Sequence, residues 1–193
     1  MALEDPIATF SQLFEEARRA GTTEPDAMVL STVDEGGRPS SRYVLLKEAG
    51  QRGFVFYTNL ESPKARALAA NPYAALCFYW PLIDKQVRVE GTVERVADAD
   101  ADQYFESRPR DSQIGAWAST QSAPLVSRES LDRRLQETRE RFEGRPVSRP
   151  PFWSGFRVVP TAIEFWTRHP ARLHERALFT REDGRWVRTL LFP

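Results

Sequence analysis

Three clusters in this sequence combine cationic side chains with hydroxyl, amide and aromatic groups, the mixture expected where a planar phosphorylated ligand binds. In Arg42-Tyr-Val-Leu-Leu-Lys47 two cations stand five positions apart, so a regular strand would present them on opposite faces. They could then serve two phosphates, or be charges closing the ends of a strand of core residues. Tyr104-Phe-Glu-Ser-Arg108-Pro-Arg110-Asp-Ser112 offers a phenol, two guanidinium groups and hydroxyls beside a helix start expected at Asp111 or Ser112. Forked arginine donors match phosphate oxygens, and a helix N-terminus adds unpaired N–H groups. A surface Arg–Asp pair with an N-cap is the alternative. Phe165-Trp166, Arg172, His174 and Arg176 set an indole, an imidazole and two guanidinium groups within a dozen residues. Alternation along a strand would aim Arg172, His174 and Arg176 to one side. A lone histidine is commonly structural, but same-face arginines would hold its imidazole neutral and able to hydrogen-bond a substrate.

Other chemistries find no support. One cysteine and two histidines, His169 and His174, supply no ligand spacing, so no metal site is expected. Cys77, inside the apolar run from Ala74 to Ile83, reads as core filler and excludes a disulfide within the chain. That run is too short to span a bilayer and contains Pro81. Twenty-seven basic residues against 27 acidic ones leave no global field to recruit nucleic acid or a membrane. Any anion site must therefore be local. The opening Met1-Ala-Leu-Glu-Asp-Pro6 lacks the basic flank and apolar core of a signal peptide, so a soluble cytoplasmic protein is expected. There is no nucleophile elbow, P-loop or Gly-rich dinucleotide-binding turn.

The elements that must position the clusters are mostly strands. A chain of 193 residues, 41% hydrophobic, suits one domain. Ile7, Phe10, Leu13, Phe14 and Ala17 predict an amphipathic helix ending near Gly21, within a leading segment 1–24. Ala27 to Val33, Ser41 to Lys47 and Gly53 to Tyr57 read as an antiparallel meander, followed by a short helix from Pro63 to Ala70. Tyr73 to Trp80 reads as a strand buried on both faces, whereas Val87, Val89, Gly91 and Val93 alternate with polar residues. Ala99 to Ala118 is helical with an interruption at Pro109, and Leu131, Leu135, Thr138 and Phe142 stripe a helix after Ser127. Strands from Trp153 to Val159, Ala162 to Trp166, and Ala177 to Thr180 with Trp186 to Leu190 across an Asp-Gly turn complete the chain. Seven or eight strands joined by short turns predict a mainly β, α+β fold: a small antiparallel β-barrel decorated by helices.

From about Asp5 to Pro193 the chain resembles the pyridoxine/pyridoxamine 5'-phosphate oxidase family. The resemblance rests on Arg42 to Lys47, Phe56-Tyr-Thr-Asn59, Gln86-Val-Arg-Val89, Ser107-Arg-Pro-Arg-Asp-Ser-Gln-Ile-Gly-Ala-Trp117, Gln121-Ser122, Pro151-Phe-Trp-Ser-Gly-Phe-Arg157, Ile163-Glu-Phe-Trp166 and Arg172-Leu-His-Glu-Arg176. It implies an FMN-binding split β-barrel, homodimeric, with FMN at the subunit interface and the segment 151–193 serving dimerisation and substrate. It also implies FMN contacts from Arg42, Tyr43, Val44, Leu45, Leu46, Lys47, Tyr57, Thr58, Lys64, Gln86, Gln121, Ser122, Trp166 and Arg176. The FMN phosphate would meet mainly Arg42, Lys64 and Ser122. Lys47, Tyr104, Arg108 and Ser112 would grip the substrate phosphate, with Arg172 and His174 as catalytic residues over the pyridine ring. The reaction implied moves a hydride equivalent from the 4' carbon of pyridoxine or pyridoxamine 5'-phosphate to the flavin; dioxygen then accepts the electrons, leaving pyridoxal 5'-phosphate and hydrogen peroxide. The alternatives are a related FMN oxidase of the phenazine-biosynthesis type and a non-catalytic flavin-binding module. The chain departs from the family pattern at Pro63, at Thr167-Arg168 and at Leu190, and begins at the first helix without the arm that folds over the substrate in many members.

Overall fold

The computed structural model describes residues 5–193; residues 1–4, on which part of the leader reading rests, lie outside the described residues. The first helix, α1 (Pro6–Arg19), starts where Asp5 accepts a hydrogen bond from the Ile7 N–H and Pro6 occupies the first turn. Its Ile7, Phe10 and Ala17 are buried. Phe10 meets Phe54 and Phe78 edge-on at 4.9 and 5.0 Å between ring centroids, so the helix plugs an aromatic core rather than lying on it.

Nine strands among the described residues form one antiparallel sheet: β1 (Ala27–Val33), β2 (Pro39–Leu45), β3 (Glu48–Gly50), β4 (Gly53–Asn59), β5 (Tyr73–Trp80), β6 (Lys85–Arg95), β7 (Trp153–Thr167), β8 (Glu175–Glu182) and β9 (Arg185–Leu191). The order is β2-β1-β5-β6-β7-β4-β3, with β8 and then β9 attached to β7. The meander expected for the first strands is therefore corrected. β2 and β4 sit in distant places in the sheet, because β4 pairs with β7. The sheet curls until the Lys47 N–H donates to the Val55 carbonyl at 2.8 Å, which brings its two ends together as a half-closed barrel.

β7 was expected as two strands and is one. Its first half, Trp153 to Val158, pairs with β4, and its second, Ala162 to Thr167, pairs with β8 along the same edge. β6 covers the other edge throughout. Pro160 does not break the strand because it sits at a bulge: Glu90 and Gly91 face Ala162 and Pro160, leaving Thr161 as an extra residue in β7 where the ladder is interrupted. β5 is corrected as well: Ala74, Leu76, Phe78 and Trp80 are buried while Tyr73 and Tyr79 are exposed, so one face is core. Cys77, expected as core filler, lies half-buried on the opposite face.

The helices α2 (Pro63–Ala70), α3 (Asp98–Ser107), α4 (Arg110–Ala118) and α5 (Arg128–Arg141) follow the predicted positions closely, although α4 starts at Arg110 rather than at Asp111 or Ser112. A second core of Phe105, Ile114, Phe142, Val147 and Trp153 packs the α3–α5 region against β7. Arg149 ties α3 down through Asp98 at 3.0 Å and Asp102 at 2.5 Å. No helix of the described residues is long and apolar enough to cross a membrane.

Gly91 is the position where the bulge leaves no room for a side chain. A Cβ there would lie 2.0 Å from the Val159 carbonyl oxygen, a backbone atom that cannot swing aside. Gly91→Ala is expected to lower unfolding free energy by about 1–3 kcal/mol or more, read from urea midpoints, with α-helical circular dichroism retained in the folded fraction.

Candidate active site

A cavity of about 670 Å³ opens between β2, β4, α2 and the α3–α4 turn. Most of the predicted site residues line it: Arg42, Tyr43, Val44, Leu45, Lys47, Tyr57, Thr58, Lys64, Tyr104, Arg108, Ser112, Gln121 and Ser122. Leu46 is buried behind it. Arg42 and Lys47 do not face opposite ways as the strand rule required. β2 ends at Leu45, the backbone turns where the Leu46 N–H donates to the Asp26 carbonyl, and both cations line the same space.

At one end Arg42 donates to the Leu30 carbonyl at 3.1 Å and the Thr32 hydroxyl at 2.8 Å, and also bonds Ser40. Lys64 stands in the first turn of α2, whose N-cap is Ser62. Its ammonium donates to the Thr58 hydroxyl at 3.1 Å, the Ser62 hydroxyl at 3.3 Å and the Gln121 Oε1 at 2.8 Å. Thr58 donates to the same Gln121 oxygen at 3.1 Å, so one side chain pins a loop distant in sequence onto β4 and α2. The next residue, Ser122, is held at φ 67°, a left-handed conformation that costs a non-glycine residue energy and marks a constrained turn.

At the other end Tyr57, Tyr104 and Trp153 stack, with Tyr57 4.1 Å from Tyr104 and 5.2 Å from Trp153 between centroids. The Arg108 guanidinium lies 4.8 Å over the Trp153 ring, and its buried Nη1 has no hydrogen-bond partner. Gln113 fixes the α3–α4 turn that presents Arg108 and Ser112, donating to the Phe105 and Glu106 carbonyls at 2.9 and 3.1 Å. Among the described residues no carboxylate lines the cavity. Lys47 alone has an acid nearby, Asp26 at 3.1 Å. Burial lowers the pKa of Arg42, of Arg108 and of Lys64, the last also through repulsion from Arg42. Such a cavity disfavours its own charges until an anion enters.

Gln86, Trp166, Arg172, His174 and Arg176 do not line this cavity. They gather at the far end of β7, where Gln86 pairs with Trp166 and Trp166 with Arg176 across the sheet. The expectation that Arg172, His174 and Arg176 alternate along one strand is corrected: β8 begins at Glu175, and only Arg176 is in it. Arg172 closes a single helical turn in which Ala171 and Arg172 have φ values of 56° and 62°. His174 follows, its ring 4.5 Å from Trp166, and its Nδ1 accepts the His169 backbone N–H at 3.2 Å. Sequence reasoning missed Asn59, Gly115, Ala116, Ser119 and Trp153 as cavity residues. Asn59, Gly115, Ala116 and Trp153 lie inside the quoted segments Phe56 to Asn59, Ser107 to Trp117 and Pro151 to Arg157, which were the available signal; Ser119 lies outside them.

A half-closed antiparallel barrel with an uncompensated cationic cavity defines the class: a split-barrel protein built to bind phosphorylated ligands. The family models agree. "Pyridoxamine 5'-phosphate oxidase" matches residues 14–142, and "Pyridoxine 5'-phosphate oxidase C-terminal dimerisation region" matches residues 153–193. The chain belongs to the pyridoxamine 5'-phosphate oxidase family. It is 58% identical over 189 residues to a pyridoxine/pyridoxamine 5'-phosphate oxidase of Myxococcus xanthus (strain DK1622), covering 98% of this chain and 92% of that one. A namesake from Rubrobacter xylanophilus is 57% identical, with 98% and 87% covered. Among solved structures, PhzG from Burkholderia lata 383, in complex with tetrahydrophenazine-1-carboxylic acid, superposes with a TM-score of 0.94 at 30% identity, over 100% of this chain and 94% of that one.

The empty-cavity electrostatics can be measured directly. A depressed Lys64 pKa means the unfolded chain binds more protons below its ordinary 10.5, so this group's contribution to apoprotein stability rises as pH climbs toward that value. A bound anion removes the penalty by favouring the ammonium. Inorganic phosphate is therefore expected to raise the melting temperature of the apoprotein at pH 7, and Lys64→Met to lose most of that shift in a thermal melt.

Proposed function

We propose that this chain is a cytoplasmic homodimeric enzyme that oxidises pyridoxine 5'-phosphate and pyridoxamine 5'-phosphate to pyridoxal 5'-phosphate, using FMN as cofactor and dioxygen as acceptor, with hydrogen peroxide as product. The observation that carries the reading is a cavity with two separated cationic ends, Arg42 with Lys64 and Arg108 with Ser112, and no lining carboxylate. Two phosphorylated ligands need two such ends. FMN fits the first: Lys64, Thr58, Gln121, Ser122 and Arg42 supply a dense set of donors beside an open face of β2. The Nη1 of Arg108, buried without a partner, fits the substrate phosphate at the second. A ligand without an anionic group would leave that nitrogen unpaired.

When bound, FMN supplies the two-electron acceptor for the substrate's 4' carbon. The chain's residues bind, orient and hold protons. Arg108, Tyr104, Ser112 and Lys47 would grip the substrate phosphate away from the reacting carbon, so that binding energy from a non-reacting group fixes its orientation. His174 would address a ring substituent as a donor. Its Nδ1 accepts a backbone N–H, which leaves Nε2 as the ring's donor toward the ligand. Arg172 would lie over the pyridine ring and stabilise charge developing there.

The placement of two groups supports the dimer. Trp153 and Trp166 stand 13 residues apart on β7, on either side of the extra residue Thr161, and only Trp153 lines the cavity. The cavity is at the first and the Gln86, Trp166, His174 and Arg176 group at the second, so a second copy that brings its far end to this cavity completes each site. The chain would act as one domain over 1–193, residues 151–193 serving both contact between copies and substrate. Light scattering with FMN bound should give twice 22.1 kDa.

The test of the activity is a yellow protein that releases FMN and produces peroxide with either phosphorylated vitamer; a protein that cannot be loaded with FMN, or that is inert with both, overturns the reading. The two ends should separate. Arg108→Ala is expected to cost about 1.5–3 kcal/mol, roughly 10- to 150-fold in kcat/KM, with FMN affinity unchanged. Lys64→Ala should weaken FMN by a similar factor, with turnover recovering at saturating cofactor. Equal loss of flavin affinity in both would show the phosphates to be misassigned.

The shared site has its own test. Lys64→Ala and Arg176→Ala chains, each with little activity at low FMN, should regain about a quarter of the wild-type rate when refolded together, because half the dimers formed are mixed and each has one intact site. No recovery would place both residues in one copy's site.

A further inference from the structure

Glu164 lies two residues before Trp166 on β7 and takes no part in the binding or proton steps described above. Its side chain is only 8% exposed, and a carboxylate so withdrawn from water is costly unless both oxygens are paired. Both are. Oε1 accepts from the Nε of Arg176 at 2.7 Å, and Oε2 from Nη1 of Arg88 at 3.2 Å. Arg88 is held in turn by Glu90, whose Oε1 is 2.5 Å from its Nη2. Arg176 has a second anchor, donating from Nη1 to the Phe192 carbonyl at 3.1 Å. The Nε and Nη1 bonds together set the plane of its guanidinium and leave Nη2 outside both.

The register shows what this brace supports. Gln86, Trp166 and Arg176 stand in one row across β6, β7 and β8. Arg88 and Glu164 are paired in the next row. Glu164 therefore reaches diagonally from that row to the backbone-proximal nitrogen of Arg176, where it orients the head group without covering its outer edge. The charges balance within the cluster, Arg88 and Arg176 against Glu90 and Glu164. Arg176 thus offers directed hydrogen bonds with its charge largely offset, unlike the uncompensated Lys64 and Arg108.

We propose that Glu164, braced by Arg88, is a positioning residue that fixes the guanidinium of Arg176 for FMN. The inference rests on the assignment of Arg176 to FMN made above, and deepens it.

The test is FMN titration into apoprotein, followed by fluorescence quenching, with the flavin midpoint potential measured at saturating FMN. Glu164→Gln keeps the shape and removes the charge. It is expected to weaken FMN about tenfold and to raise the midpoint potential, because the local field becomes more positive; a carboxylate that only holds the sheet together would move neither at saturating FMN. Arg176→Ala should lose at least as much affinity, and the double variant no more than Arg176→Ala alone, since the two act through one group. Wild-type affinity and potential in Glu164→Gln, beside a weakened Arg176→Ala, overturn the proposal and leave the function intact. Additive losses in the double variant overturn it too. Wild-type affinity in Arg176→Ala removes Arg176 from the cofactor site, and the proposal falls with that assignment. Should Glu164→Gln fail to fold, Glu164→Asp retains the charge but shortens the reach: several-fold weaker FMN at an unchanged potential supports the proposal, and wild-type affinity overturns it.

Discussion

β7 is the constraint on which the rest of the structure depends. Fifteen residues run without a break, paired along one edge with β6 and along the other with β4 and then β8. A strand hydrogen-bonded on both edges bends chiefly at a bulge, and β7 has one at Thr161, the extra residue between Pro160 and Ala162, where its edge partner changes from β4 to β8. The cationic cavity is thereby held at one end of the strand and the Trp166, His174 and Arg176 group at the other. Within the chain the Trp166, His174 and Arg176 group does not line the cavity. That separation is the ground for proposing that a second copy completes the site.

The two ends handle charge in opposite ways. At the cavity, Arg42, Lys64 and Arg108 are partly desolvated without acids, and burial works against their charged forms. Binding energy held in reserve this way is released only by an anion, which suits groups that must capture phosphate. At the far end, Arg176 is held by Glu164 and its pKa is raised by that contact. A compensated arginine contributes geometry more than field. The roles proposed for the two groups, phosphate capture and ring orientation, thus fall in different electrostatic environments on one sheet.

Three of the six non-glycine residues with positive φ among the described residues lie in the same places. Ser122 at the tip of the loop pinned by Gln121, and Ala171 and Arg172 just ahead of His174, all adopt left-handed conformations without being glycine. Each costs of order 1–3 kcal/mol and persists because neighbouring contacts over-determine it. The Gln121 oxygen shared by Lys64 and Thr58, and the His169 N–H donated to His174, are those contacts. Hydrogen bonds of 2.8 to 3.2 Å hold these loops.

Local pattern was enough for much of the fold. The 3.6-residue stripe of α1, the bounds Pro63 and Ala70 of α2, the Ser127 cap of α5 and the Asp183-Gly184 turn were all legible, because propensity, capping and turn chemistry act over a few neighbours. So were the residue types of the phosphate ends, which the motifs name. Among the failures were the inferences that extended a strand past its true end: Arg42 and Lys47 were set on opposite faces, and Arg172 and His174 on a strand that starts after them. Alternation holds only while a ladder lasts, and ladders are ended by partners far away in the chain. Trp153 and Asn59 entered the cavity through pairing with each other across β4 and β7, a contact between residues 94 positions apart. Residue identity and short-range spacing determined which groups could bind phosphate and flavin. Only the tertiary structure decided which of them share a cavity, because that depends on how the curled sheet brings distant strands together.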